Sequence, residues 1–98
     1  MKETLRISGK DGVESSLGWK IEFLSPEILA YREGEKSIRL EMEDRPDAQG
    51  EREWILYTPA RWAWRENDGP LAREKISEIL KRIDLAFWKL DRKIKEII

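Results

Sequence analysis

The sequence contains no cysteine and no histidine. Without cysteine, the chain cannot form disulfides, thiolate zinc sites or iron–sulfur ligation, and it has no thiol nucleophile. Without histidine, it lacks the imidazole general base, the Ser-His-Asp triad and the usual His-based metal sites. Gly-rich phosphate-binding motifs are also absent from the sequence. An enzyme would have to work with carboxylates, Lys or Tyr alone, so we expect a non-catalytic protein without a cofactor or metal.

Long hydrophobic runs and an excess of one charge are missing as well. No stretch approaches the ~18 to 20 apolar residues of a membrane span, and the first residues do not resemble a secretory signal. The chain has 19 basic and 20 acidic residues, a net charge of -1, which argues against a dedicated duplex-DNA binder. With no cysteine, the composition favours a cytoplasmic protein without a membrane segment.

The residues that are present predict one domain, 1–98, in two parts. Apolar residues make up 40% of the sequence and include five Trp, enough for one core. Residues 3–64 alternate with period two, whereas residues 70–97 repeat with the helical period of 3.6. We therefore expect an α+β fold, an antiparallel meander of about four to six strands followed by one long amphipathic helix that packs on the sheet. The predicted strands span 5–8, 19–23, 28–32, 38–43 and 53–58, of which 38–43 has the cleanest alternation. Residues 13–17 and 61–65 are weaker candidates, and 44–51 reads as a polar loop.

The predicted helix is too long for a domain of this size. From Leu71 onward the sequence has no Gly or Pro, and about 28 helical residues would span roughly 42 Å against ~20 Å for a strand. The helix must overhang the sheet, break, or pack against another copy. Apolar residues off its buried stripe or near its tip favour a homodimer through the helix, although single exposed apolar residues are ordinary; these residues are Leu85, Trp88, Ile94 and Ile98.

Carboxylates cluster around one predicted hairpin. Glu41 and Glu43 share a strand face because side chains repeat every two residues, Asp44 follows them, and Glu33 lies in the preceding turn. The simplest interpretation is a solvated face with cross-strand ion pairs. An acidic surface for a protein partner is a second interpretation, and a metal site or acid/base pair is a third.

Basic and aromatic residues alternate at Arg61-Trp62-Ala63-Trp64-Arg65. The simplest interpretation is that Trp62 and Trp64 share one face and pack under the helix. Trp and Arg also dominate protein-binding hot spots, and they stack unpaired bases while neutralising phosphates. A protein interface at Trp62 and Trp64, or a nucleic-acid site, therefore stays open at this point.

The stretch Tyr31-Arg32-Glu33-Gly34-Glu35-Lys36, which runs into an alternating strand ending at Glu43, resembles a known pattern. With a later Trp64, a Gly-Pro break and a helix containing Ile76, Ile79 and Ile83, residues 28–88 are similar to a family of small bacterial immunity proteins of polymorphic toxin systems, immunity protein 74. The resemblance implies a cytoplasmic antitoxin that binds and neutralises a cognate toxin domain. The alternative is a single-stranded nucleic-acid binder, because Whirly and PC4-like domains also combine a small sheet with a C-terminal dimerising helix.

Overall fold

The computed structural model describes residues 2–9 and 12–98. Within these ranges, the chain forms seven strands and one helix, so the α+β prediction is confirmed with more strands than expected. The helix, α1 (Arg73–Lys89), precedes the last strand. The strands are β1 (Leu5–Ser8), β2 (Gly12–Ser15), β3 (Trp19–Ser25), β4 (Ile28–Glu33), β5 (Lys36–Pro46), β6 (Arg52–Tyr57) and β7 (Lys93–Ile97).

The seven strands form a single sheet in sequence order, from β1 at one edge to β7 at the other. Every pair from β1 to β6 is antiparallel, as the predicted meander requires. β7 instead pairs in parallel with β6. A parallel neighbour needs a crossover connection, and here α1 is that connection.

The sheet curls around α1 as a half-barrel. The helix contacts β1 and β2 at one end of the strand order and β7 at the other. The concave face therefore contains the core, and α1 contributes Ile79, Ile83, Ala86 and Phe87 to it. The largest fully buried side chains are Trp19, Tyr31, Phe87, Ile21, Leu29, Leu40, Leu56, Ile79, Ile83 and Val13.

The helix is shorter than the sequence predicts, and the prediction of helix over 70–97 is wrong at both ends. α1 ends at Lys89, and the chain returns as β7. Asp91 adopts a left-handed conformation (φ 56), and the amides of Asp91 and Arg92 donate to the carbonyls of Trp88 and Phe87. This is the Schellman pattern with Asp in place of the usual Gly. A helix of 17 residues spans about 26 Å, so no overhang remains.

The N-terminal end of α1 also differs from the expectation. The cap residue is Ala72, without a side-chain hydrogen bond. Asn67 and Asp68 lie in the turn before the helix, where the Asn67 side chain accepts a hydrogen bond from the Gly69 amide and Asp68 has a positive φ of 55. Pro70 forms an isolated bridge with Ala63 rather than a first helical turn.

Two segments, 44–51 and 61–65, differ from the predicted boundaries because their backbone groups form other hydrogen bonds than the prediction assumed. The expected loop at 44–51 begins later than predicted: its first three residues belong to β5, which reaches Pro46, and residues 47–51 form a tight turn in which the Asp47 side chain accepts from the amides of Gln49 and Glu51. The expected strand at 61–65 is irregular. It covers the part of β5 beyond the end of β6, with the Arg65 amide donating to the Ser37 carbonyl.

Candidate functional site

The hairpin motif that carries the family resemblance builds the scaffold. Gly34 occupies a left-handed turn position (φ 61) that suits a residue without a side chain. Tyr31 is fully buried and stacks between Trp19 and Trp64, with ring centroids 6.3 and 6.4 Å apart. The Lys36 ammonium lies 5.8 Å from the centroid of Trp64. The motif residues therefore serve the hairpin and the core.

Glu33 belongs to a half-buried ion-pair network that joins β4 to α1. Its Oε1 accepts hydrogen bonds from the Tyr31 hydroxyl at 2.7 Å and from Lys75 and Arg82 at 3.0 Å. Arg82 also donates to the Tyr31 hydroxyl at 2.7 Å, and Glu78 pairs with both Lys75 and Arg82. Glu33 is thus committed to the fold and does not share a surface with Glu41 and Glu43, as the sequence suggested.

The network shifts the titration of its members. Burial raises the pKa of Glu33, but hydrogen bonds from Tyr31 and Lys75 and the charges of Lys75 and Arg82 outweigh burial, so the pKa lies below its ordinary value. Burial and the hydrogen bond to Glu33 raise the pKa of Tyr31. Burial lowers the pKa of Lys75, but its carboxylate partners reverse the shift and raise it. All three groups therefore keep their ordinary charge states near neutral pH.

The remaining acidic candidates divide between the two faces of the sheet. The register places Glu41 and Glu43 on the convex face and Asp44 on the concave face. The carboxylate of Glu43 accepts hydrogen bonds from the Tyr57 hydroxyl at 2.7 Å and from Arg45 at 3.2 Å, which lower its pKa. Glu41 is exposed. The prediction that Glu41 and Glu43 share a strand face is confirmed, but Asp44 lies on the opposite face.

The convex face carries a balanced set of charges. Several are paired across strands, as in Arg6–Glu14, Lys20–Glu14 and Arg32–Glu22. Among the residues that the structure describes, this face carries equal numbers of acidic and basic side chains and therefore has no acidic excess. By register, its basic residues are Arg6, Lys20, Arg32, Arg39, Arg45 and Lys93, and its acidic residues are Glu14, Glu22, Glu41, Glu43, Glu53 and Glu96.

The Arg-Trp-Ala-Trp-Arg segment packs inward. Trp64 is 8% exposed, and Trp62 is partly buried against the same core. Arg61 pairs with Asp68. The rings of Trp62 and Trp64 are thus used in packing, the simplest of the interpretations drawn from the sequence.

Exposed apolar side chains mark the outer side of α1. Trp88 is 74% exposed and Leu85 is 40% exposed, one helical turn apart; we call these two residues the Trp88 surface. A depression of about 620 Å³ separates Leu85 from Leu17 in the β2–β3 turn. A second, of about 600 Å³, adjoins Trp88 and is lined by Arg52, Arg92 and Lys93 among others.

The other two residues proposed for self-association lie on β7 and beyond it. Ile94 packs against the core opposite Trp54. Ile98 is 56% exposed, and its backbone is hydrogen-bonded to Leu56 and Thr58. Because the helix ends before both residues, they do not share a helical face with Leu85 and Trp88. The overhang that favoured a homodimer is therefore absent from the fold.

A cleft that the sequence did not reveal opens where α1 ends. Beyond the helix, the concave face is covered by the Arg92 guanidinium, which lies 4.6 Å from the Phe23 ring centroid and 5.3 Å from that of Trp54. We call this space, about 360 Å³, the Arg92 cleft; its lining includes Asp44 and Arg52, which pair at 3.0 Å. Arg92 falls within the predicted helix 70–97, so the sequence pattern does not link it to Phe23 or Trp54.

Residues 2–9 and 12–98 show neither a metal-binding cluster nor a membrane-spanning helix. In that part of the chain, no three His, Cys, Asp or Glu side chains come together in a way that could hold a metal ion. The same residues contain no helix with the length and apolar character that crossing a bilayer requires.

Comparison with known proteins returned no match: no protein family, curated protein or solved structure resembles the chain significantly.

Proposed function

We propose that the protein is a non-catalytic, cytoplasmic binding module whose partner is another protein, and that it docks through the Trp88 surface. The observation that carries this proposal is the exposure of Trp88 (74%) beside Leu85 on a regular helix. Trp is among the residue types that dominate protein-binding hot spots. A helix fixed to the sheet by Lys75 and Arg82 presents these side chains without a large ordering cost on binding.

The partner class we propose is a toxin domain, which the resemblance of the sequence of residues 28–88 to immunity proteins would imply, although no family model matches the chain. Inhibition of this kind requires a stable scaffold and a complementary surface but no catalytic group. The balanced charge of the convex face makes it a weaker candidate surface than α1. Glu43 is already bonded to Tyr57 and Arg45, and such rim charges affect association rate more than affinity.

The proposal is tested by measuring binding to any toxin-like domain that a gene adjacent to this protein's gene encodes. We expect Trp88→Ala to weaken the measured affinity by about 30-fold or more, as truncation of a hot-spot residue does. Ile7→Ala is the matched control, because Ile7 is a 50% exposed apolar residue on β1, away from Trp88. The double variant Glu41→Lys, Glu43→Lys should change affinity by less than about threefold.

Four outcomes would count against parts of this proposal. Failure of the wild-type protein to bind excludes that domain as the partner. Equal binding by wild type and Trp88→Ala moves the interface elsewhere, and loss of binding only in the Glu41/Glu43 variant places it on the convex face. A gel shift with oligo-dT at about 50 mM salt would favour single-stranded nucleic acid, the alternative class.

A further inference from the structure

Strand β1 forms one edge of the sheet, and the chain at its start is firmly attached to the neighbouring strands. The carboxylate of Glu3 accepts hydrogen bonds from the Ser15 hydroxyl and from the Trp19 indole, the latter at 2.8 Å. The Ser16 amide donates to the Thr4 carbonyl at 2.9 Å, and the Thr4 amide donates to the Ser16 hydroxyl. β1 is therefore held in an extended conformation before any partner binds.

The backbone of β1 has hydrogen-bonding groups that point out of the sheet. In an antiparallel pair, alternate residues of a strand direct both their N–H and their C=O toward the neighbouring strand. Because Thr4 is bonded to Ser16, Arg6 also faces β2. The N–H and C=O groups of Leu5 and Ile7 therefore point away from β2. Among the residues that the structure describes, no strand lies beyond β1, so these groups can pair with an added strand.

The opposite edge of the sheet is protected against such pairing. β7 has a register shift against β6, which leaves Lys95 outside the ladder, and it carries a second lysine, Lys93. Bulges and lysines are common devices that keep an edge strand from pairing with other chains. β1 has a regular register with β2 and contains neither lysine nor proline. β1 is thus the edge at which the sheet can be extended.

The side chains beside this edge indicate which segment fits. Leu5 and Ile7 lie on the concave face, and Ile7 is 50% exposed. On the convex face, the cross-strand ion pairs end at the edge with Arg6, whose partner Glu14 is shared with Lys20. The Arg6 side chain is 77% exposed. An added strand would bury Ile7 with an apolar side chain on one face, and an acidic side chain on the other face would continue the alternation of charges.

We propose that β1 binds an extended segment of a partner protein as an additional strand, with the pattern apolar–acidic–apolar. The segment runs antiparallel to β1, because antiparallel pairing is slightly more stable per residue. Its two apolar residues lie opposite Leu5 and Ile7, and its acidic residue lies opposite Arg6. Main-chain hydrogen bonds supply affinity and the side chains supply specificity, as in other cases of strand addition. The proposal does not depend on the Trp88 surface.

A second copy of β1 is a poorer fit to this edge than a different chain. In the antiparallel register that places each apolar residue opposite another, Leu5 pairs with Ile7 and the two Arg6 side chains lie opposite each other. Like charges directly opposite on neighbouring strands are destabilising. An acidic residue at that position instead pairs with Arg6, so the occupant we propose is a segment of another protein.

Titration of the ¹⁵N-labelled protein with the peptide acetyl-Ser-Val-Glu-Val-Ser-amide tests the proposal by NMR. At saturation, hydrogen exchange of the Leu5 and Ile7 amides should slow about tenfold or more, while the Arg6 amide, which faces β2, should change little. A peptide with Lys in place of Glu should bind at least about threefold more weakly. Protection of Arg6 alone, or equal binding of the Glu and Lys peptides, would overturn the proposal.

Methylated peptides test the main-chain hydrogen bonds directly. Methylating the backbone nitrogens of both valines removes the two donors that face β1 and should weaken binding about tenfold or more. Methylating the glutamate nitrogen, which points away from β1, is the matched control and should weaken binding by less than about threefold. Equal weakening by the two modifications would show that the peptide does not bind as an antiparallel strand.

Two substitutions at Ile7 locate the site on the protein. Ile7→Pro removes the outward N–H but no hydrogen bond to β2, and proline is tolerated at such edge positions. It should weaken peptide binding about fivefold or more, whereas Ile7→Val, which keeps the N–H, should weaken it by less than about twofold. An unchanged thermal transition shows that each variant folds. Equal binding by the two folded variants would place the peptide elsewhere.

Two further measurements separate this edge from the other surfaces. Trp88→Ala should bind the peptide as the wild-type protein does, so a failure at the Trp88 surface leaves this proposal intact and the reverse also holds. Sedimentation of the free protein should show a monomer with rapidly exchanging Leu5 and Ile7 amides. A dimer in which these two amides are already protected would assign the edge to a second copy and overturn the proposal.

Discussion

The two ends of α1 meet the sheet in different ways. From its first turn to its middle, Lys75 and Arg82 are bonded to Glu33 and Tyr31, so charged groups close the space between helix and sheet. Toward its C-terminal end, Trp88 faces solvent, and Arg92 lies over an open cleft. One end satisfies its polar groups internally, and the other leaves the Trp88 side chain in water.

This difference indicates which residues serve the fold and which are available for binding. A half-buried ion-pair network constrains the helix but offers little to a partner, because its donors and acceptors are already used. An exposed Trp contributes little to folding but can bury a large area on association. The predictions below test this division, beginning with the largest expected effect.

Phe87 and Trp88 are adjacent aromatic residues with opposite roles. Phe87 is 1% exposed and contacts the Phe23 and Trp54 rings. Phe87→Ala should lower the free energy of unfolding by about 3–5 kcal/mol. Trp88→Ala should change it by less than about 0.5 kcal/mol. Denaturant unfolding followed by circular dichroism measures both. A loss above ~2 kcal/mol in Trp88→Ala would mean that Trp88 packs in the monomer or stabilises an oligomer.

Glu33→Gln tests the closed end of the helix. The amide keeps the shape of the side chain but leaves Lys75 and Arg82 without this carboxylate. Because the network is partly solvated, we expect a loss of about 1–2 kcal/mol in the free energy of unfolding. Glu41→Gln, at an exposed position on the convex face, is the control and should be neutral. Equal effects would show that net charge, not the network, is responsible.

The stability difference between the wild-type protein and Glu33→Gln should depend on pH. The pKa of Glu33 is lower in the folded protein than its ordinary value of 4.5. Its contribution is therefore complete above the unfolded value and is lost as the pH falls through the folded value. The difference in unfolding free energy between wild type and Glu33→Gln should shrink when the pH falls from about 6 to about 3. A difference that stays constant would exclude ionised Glu33 as the stabilising species.

The strands were predictable because their patterns are local. Alternation at Ile38, Leu40 and Met42 and the turn at Gly34 require no knowledge of the rest of the chain, and the sheet has both. The division of the acidic residues between the two faces follows from the period of a strand. Asp44 lies an odd number of residues from both Glu41 and Glu43 along β5, so its side chain is on the opposite face. The cleft was not predictable, since Arg92 reaches Phe23 only through the long-range placement of β7.

The C-terminal end of α1 was not predicted because the sequence marks it with neither Gly nor Pro. Residues 71–98 contain no Gly or Pro, and apolar residues in β7 continue the helical stripe by coincidence. The length of the predicted helix nevertheless indicated that it had to break, overhang or pair. The structure shows a break at Asp91, a residue type that tolerates the left-handed conformation.

Asp91→Gly gives the smallest effect and tests that break directly. At a left-handed position, Gly removes the steric cost that a Cβ incurs, while its greater freedom in the unfolded chain offsets part of the gain. We expect the free energy of unfolding to stay the same or to rise by about 0.5 kcal/mol. Asp84→Gly, the same exchange at an exposed position within α1, should cost about 0.3–0.5 kcal/mol, because Asp is already a poor helix former. If both variants lost stability equally, Asp91 would lie within a continuous helix, and the parallel strand β7 would be wrong.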